Sequence, residues 1–141
     1  MSSIDVVDET FLAVTRARIA QRLADPAVWR EFWPDLTLTV VTDRGESGFR
    51  WTVRGALVGS MEVWLEAVLD GTVLHYYLRA DPAEGPGRPG RHGLRRSLAE
   101  SQRRQRAAKA ISLLLKDELE EGRPPGVPPA HSFSASSGPA S

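Results

Sequence analysis

His75 is the only histidine that falls within a strand-like segment, and Glu66 lies in the same hairpin, near enough to hold it. An imidazole oriented by a carboxylate is the arrangement of a general base. The same pair on a solvated sheet face is an ordinary cross-strand contact. Tyr76, Arg50 and Arg54 are the other groups with which an interior could do acid–base work. No Ser/His/Asp arrangement, phosphate-cradling glycine loop or carboxylate dyad can be made out. The chain has no cysteine, which removes thiol nucleophiles, disulfides and Cys-ligated metals. His75, His92 and His131 lie too far apart in sequence for a metal-ligand spacing. Neither metal nor cofactor is expected, and no catalytic residue is assigned.

The hairpin decides between the two readings of His75. Asp70-Gly71 suits a two-residue turn in which both positions tolerate positive φ. With Leu69 opposite Thr72, Glu66 falls opposite His75, Trp64 opposite Tyr77 and Glu62 opposite Arg79. The other face then carries Ala67, Leu65, Val63 and Met61 against Leu74, Tyr76, Leu78 and Ala80. One face is apolar and the other pairs acid with base, so the register is chemically consistent. It places His75 on the polar face and Tyr76 on the buried one.

The remaining elements follow from period and punctuation. Strands are expected at residues 4–13, 36–42, 48–54, 60–69 and 72–81. Thr15 can cap a short helix over 16–24, and Asp25-Pro26 starts a second that carries Val28, Trp29, Phe32 and Trp33 and stops at Pro34. A long helix is expected from about Leu94 to Glu121, ended by Gly122 and Pro124-Pro125. Its apolar stripe runs through Leu94, Leu98, Ser101, Gln105 and Ala108, so two polar residues interrupt it. The segment from Gly55 to Gly59 is either a lid over a cavity mouth or a tight connection that buries Leu57.

At 141 residues, 41% hydrophobic and 26% charged, the chain holds one ordinary globular domain. Residues 122–141, with five Pro, three Gly and five Ser, read as a disordered tail beyond a domain at 1–121. The stretch from Asp81 to Gly93 reads as a loop. The 18 basic and 18 acidic side chains balance, which argues against a wholesale binder of nucleic acid or membrane. Sixteen of those basic residues are Arg, a bias that fits a GC-rich genome. From Arg88 to Lys109 seven Arg and one Lys face a single Glu, enough to attract an acidic partner. With no membrane-length apolar run and no signal-like N-terminus, the expected compartment is the cytoplasm.

The order of strand, two short helices, antiparallel strands, loop and long helix, with Asp25-Pro26-x-x-Trp29-x-x-Phe32-Trp33-Pro34, resembles the START-like superfamily. It is most similar to short bacterial members labelled polyketide cyclase/dehydrase or SRPBCC, over about residues 4–121. The resemblance implies an α+β helix-grip fold, a curved sheet of about five strands around a C-terminal helix with an apolar cavity between them. It implies binding of an apolar or amphipathic small molecule, lipid- or polyketide-like, with cyclase or aromatase chemistry as the alternative. Candidate lining residues are Trp29, Trp33, Trp51, Val53, Met61, Val63, Leu65, Tyr76, Leu78, Ser101, Gln105 and Ala108. The usual fold has six or seven strands, so five enclose less volume and a large ligand is disfavoured.

Overall fold

The computed structural model describes residues 2–83 and 91–120. The tail expected at 122–141, and most of the loop expected at Asp81–Gly93, lie outside the described residues. The elements are strand β1 (Ile4–Leu12), helices α1 (Arg16–Leu23) and α2 (Pro26–Phe32), strands β2 (Leu36–Asp43), β3 (Gly48–Gly55), β4 (Leu57–Val68) and β5 (Gly71–Pro82), and helix α3 (Arg91–Glu120). Their order is the expected one. Thr15 caps α1 by accepting from the Arg18 amide, and Asp25 caps α2 by accepting from the Ala27 amide, with Pro26 in the first turn.

All five strands form one antiparallel sheet in the order β1-β5-β4-β3-β2. Alternation buries Ile4, Val6, Asp8, Thr10 and Leu12 of β1 on the inner face, with Leu74, Tyr76 and Leu78 of β5 and Met61, Val63 and Leu65 of β4. Between β3 and β4 only Ala56 intervenes, and Leu57 is 2% exposed. The glycine-flanked segment is therefore the tight connection.

The β4–β5 hairpin differs from the expected register by two residues. Val68 pairs with Gly71, and Trp64 rather than Glu66 lies opposite His75. Leu69 and Asp70 make the turn, with Leu69 at φ 53° and almost fully exposed. Gly71 is needed elsewhere. A Cβ there would come within 2.4 Å of the Leu12 carbonyl oxygen and 2.6 Å of the Phe11 ring, so the glycine admits β1 against β5. A two-residue slide keeps the side-chain parity, so both faces stay as expected.

Helix α3 runs along the outer edge of β1. Gln105 Nε2 donates to the Val7 carbonyl at 2.6 Å, Lys109 Nζ to that of Glu9 at 3.0 Å, and Lys116 Nζ to that of Phe11 at 2.9 Å. Four helical residues rise about 6 Å and two strand residues about 6.8 Å, so Gln105 and Lys109 match Val7 and Glu9. These side chains occupy carbonyls that an edge strand otherwise offers to another chain. The helix is rotated from the expected stripe to do this. Gly93, Ser97, Arg104, Ala108, Ser112, Leu115 and Leu119 are buried on it, while Leu94 and Leu98 are 73% and 59% exposed.

Candidate functional site

The inner face of the sheet meets α1, α2 and α3 across an aromatic cluster. Trp33 ends α2 and lies parallel to Tyr76, with ring centroids 6.2 Å apart. Trp51 of β3 lies 6.1 Å from Trp33, 5.7 Å from Trp29 and 5.6 Å from Phe49. The Trp29 indole donates to the Leu23 carbonyl at 2.6 Å, which ties α2 to the end of α1. Trp51 is fully buried, yet its indole N–H has no acceptor among the described residues. An unmet buried donor costs about 1–3 kcal/mol.

A small cavity of about 10 Å³ opens between this cluster and α3. Leu23, Trp33, Val63, Leu74 and Tyr76 border it on one side, and Ala108, Ile111, Ser112 and Leu115 of α3 on the other. That is room for about one water molecule. Of the residues expected to line a cavity, Trp33, Val63, Tyr76 and Ala108 border this one. Trp51, Val53, Met61, Leu65 and Leu78 are packed in the core, and Trp29 is partly buried against it. Ser101 is half-buried on α3, and the Gln105 amide is directed to the β1 edge.

Sequence reasoning missed Ser112 of the cavity wall and the buried Asp8 that it contacts. Asp8 stands opposite Tyr76 in the β1–β5 register, with its side chain 3% exposed. Ser112 Oγ and Thr10 Oγ1 donate to Asp8 Oδ2 at 3.0 and 3.1 Å, and Lys109 Nζ lies 3.0 Å from Asp8 Oδ1. A buried carboxylate is tolerated because its oxygens are occupied in this way. Strict alternation from Ile4 would have placed Asp8 inside, but the doublets Val6-Val7 and Phe11-Leu12 obscure that period. Burial pushes the Tyr76 phenol well above its ordinary range, opposed by the nearby Arg104 charge.

Arg104 closes one end of the interior. Its guanidinium takes Asp35 in two parallel bonds, at 3.2 and 2.6 Å, and Glu100 through Nε at 2.8 Å. The Asp35 carboxyl is held below its ordinary pKa by the Arg104 hydrogen bonds against the opposing effect of burial. Burial would raise Glu100, but Arg103 and Arg104 hold it below its ordinary value. The arginine-rich run is thus partly engaged within the chain.

His75 lies on the outer face, as expected, but its ring is nearly covered. Nδ1 is 3.0 Å from Glu9, Nε2 is 2.9 Å from Glu66, and the Trp64 ring stacks on it at 4.4 Å. Both ring nitrogens are occupied, and the sheet separates them from the interior. Among the described residues no group of three or more His, Asp and Glu side chains is placed to hold a metal ion. No helix among them is long and apolar enough to cross a membrane.

No family model and no curated protein matches the chain. Among solved structures it is similar to the Aha1 dimer from Colwellia psychrerythraea, at 15% identity over 86% of this chain and 99% of that one, with a TM-score of 0.55. DR_A0006 from Deinococcus radiodurans has 14% identity, 72% and 95% coverage and a TM-score of 0.48. TTHA0849 from Thermus thermophilus has 14% identity, 77% and 94% coverage and the same TM-score. At 15% identity the likeness to the Aha1 structure is one of fold. The chain has the helix-grip, START-like fold.

Proposed function

We propose that this chain is a small-molecule-binding module that takes an apolar or amphipathic ligand, lipid- or polyketide-like, between the inner face of its sheet and α3. The observation that carries this reading is the mixed wall of the cavity, where Tyr76 and Ser112 interrupt apolar and aromatic side chains. Small-molecule sites combine apolar walls with a few placed polar groups in this way. The unpaired Trp51 indole beside Trp33 supports it, because a ligand acceptor would satisfy a donor that is otherwise costly.

A cavity of about 10 Å³ does not admit such a ligand, so uptake requires α3 to separate from the sheet. The N-terminal half of α3, up to the cavity wall at Ala108, is the part that moves. Gly93, Ser97 and Arg104 are buried there rather than leucines, so lifting it exposes little hydrocarbon. The Arg104–Asp35 pair is then the clasp that holds the closed form. The cytoplasm remains the proposed compartment.

Native mass spectrometry of protein purified from its own host, paired with titration of an apolar fluorescent dye, tests the reading. A co-purifying small molecule, or saturable dye binding that rises when Arg104 is replaced, supports it. A bare protein mass together with no dye binding in either form rejects it.

A cyclase-type enzyme is favoured by one observation, the placement of the buried Asp8 carboxylate opposite the Tyr76 phenol. In that reading the two would exchange a proton with a bound polyketide. Turnover of a polyketide-like substrate that Asp8→Asn abolishes, with binding retained, would separate the enzyme from the carrier.

A further inference from the structure

The sheet has a second recess on its outer face, opposite the helices. It measures about 350 Å³ and is lined by Arg50, Ser60, Glu62, Tyr77 and Arg79. Register brings these together. Arg50, Glu62 and Tyr77 form one row across β3, β4 and β5, and Ser60 and Arg79 form the next. The volume lies within the range of small-molecule sites, about 300–1,000 Å³.

The charge pairing in this recess is displaced from what the register would give. Glu62 lies directly across from Arg50 but is taken at 2.6 Å by Arg44, from the connection between β2 and β3. Arg50 is left with no ion-pair partner among the described residues. Arg79 has only Asp5, at 3.8 Å, with both side chains more than half exposed. Such a contact contributes little. Two under-satisfied guanidinium groups therefore share a recess with two hydroxyl-bearing side chains, and its one carboxylate is neutralised from outside.

We propose that this recess binds the phosphate monoester group of a small molecule, with Arg50 and Arg79 on the phosphate oxygens and Tyr77 beside the organic part. Guanidinium groups present paired donors that match phosphate geometry. A dianion answers two cations, whereas a single carboxylate would leave one of them unmatched. The site is separated by the sheet from the interior cavity and stands independently of the reading given for it.

The test is a backbone amide NMR titration of the full chain with phenyl phosphate, with benzoate and inorganic phosphate as comparators. Saturable shifts are expected at Arg50, Ser60, Tyr77 and Arg79, with phenyl phosphate the tightest of the three. Arg50→Gln and Arg79→Gln should each weaken it about tenfold, the loss of one charge-assisted contact. Glu62→Gln should tighten it. Arg44→Gln should weaken it without touching the recess, because the freed Glu62 can turn to Arg50. All four side chains are at least a third exposed or lie on the outer sheet face, so the fold tolerates these changes. Benzoate binding as tightly as phenyl phosphate overturns the ligand class. Shifts confined to α3, no saturable shifts, or indifference to Arg50→Gln overturns the site.

Discussion

Arg104 of α3 and Asp35, the residue before β2, are joined by two parallel hydrogen bonds although 69 residues separate them in sequence. The pair fixes the rotation of α3 about its own axis. With Arg104 turned inward, Gln105 and Lys109 fall on the β1 edge, and Leu94 and Leu98 are left facing outward.

This pair predicts an acid-sensitive fold. The folded-state pKa values of Asp35 and Glu100 lie below their ordinary values of 3.8 and 4.5. The folded chain therefore binds fewer protons there than the unfolded chain, and stability rises with pH. The contribution is fully present above about pH 5 and is lost as pH falls through 4.5 and then 3.8 toward the folded-state values. Urea titrations of wild type and Arg104→Met between about pH 3 and pH 7 check this. The variant should be less stable at pH 7 by about 1–3 kcal/mol, and its stability should fall less on acidification. Parallel pH profiles would show that the pair contributes nothing to folding.

Trp33→Ala should destabilise the chain by about 3–5 kcal/mol, the cost of deleting a buried aromatic side chain. Trp33 is 5% exposed, stacks on Tyr76 and meets Phe32 edge-on. It also borders the cavity, so the vacated volume adds to a space that already holds about one water. A loss below about 1 kcal/mol in urea would mean that the surrounding rings collapse into the gap.

The five strands, the three helices and the two faces of the hairpin were legible because period and punctuation are local. Asp25-Pro26 announced α2, and alternation sorted Tyr76 inward and His75 outward. What escaped the sequence depends on partners distant along the chain. Gly71 reads as a turn glycine until the Phe11 ring and the Leu12 carbonyl are seen against it. Leu94 and Leu98 read as core because they begin the apolar stripe of the long helix, but a salt bridge to Asp35 decides which face of α3 turns inward. Asp8 escaped because a buried carboxylate is rare, and Ser112 and Lys109, which make it tolerable, lie about a hundred residues away.

His75→Ala should leave binding of an apolar dye unchanged while lowering stability by about 1 kcal/mol. The imidazole serves the outer face only, bridging Glu9 and Glu66 and stacking on Trp64. Its loss leaves the Glu9 and Glu66 carboxylates without the imidazole between them. Thermal unfolding, run beside the dye titration, reads both quantities. Lost dye binding with a normal melting temperature would place His75 in the functional site after all.

Gln105→Leu separates an interior role for this residue from an edge role. An amide that faced a ligand would give opposite signs, with stability held or raised and ligand affinity lowered. In the structure Gln105 instead donates to the Val7 carbonyl, outside the cavity wall. Leucine there removes one neutral hydrogen bond from a carbonyl that water can still reach, so stability should fall by no more than about 1 kcal/mol. Dye affinity should not change. The larger consequence is at the strand edge, where one of three protecting donors is gone and a leucine is exposed beside it. Self-association should therefore increase, most clearly when Lys116→Met is added, because Lys116 guards the Phe11 carbonyl. Sedimentation of the single and double variants over a concentration series measures this. A strictly monomeric double variant, or a loss of dye affinity in Gln105→Leu alone, would return Gln105 to the cavity and leave the edge of β1 protected by something other than α3.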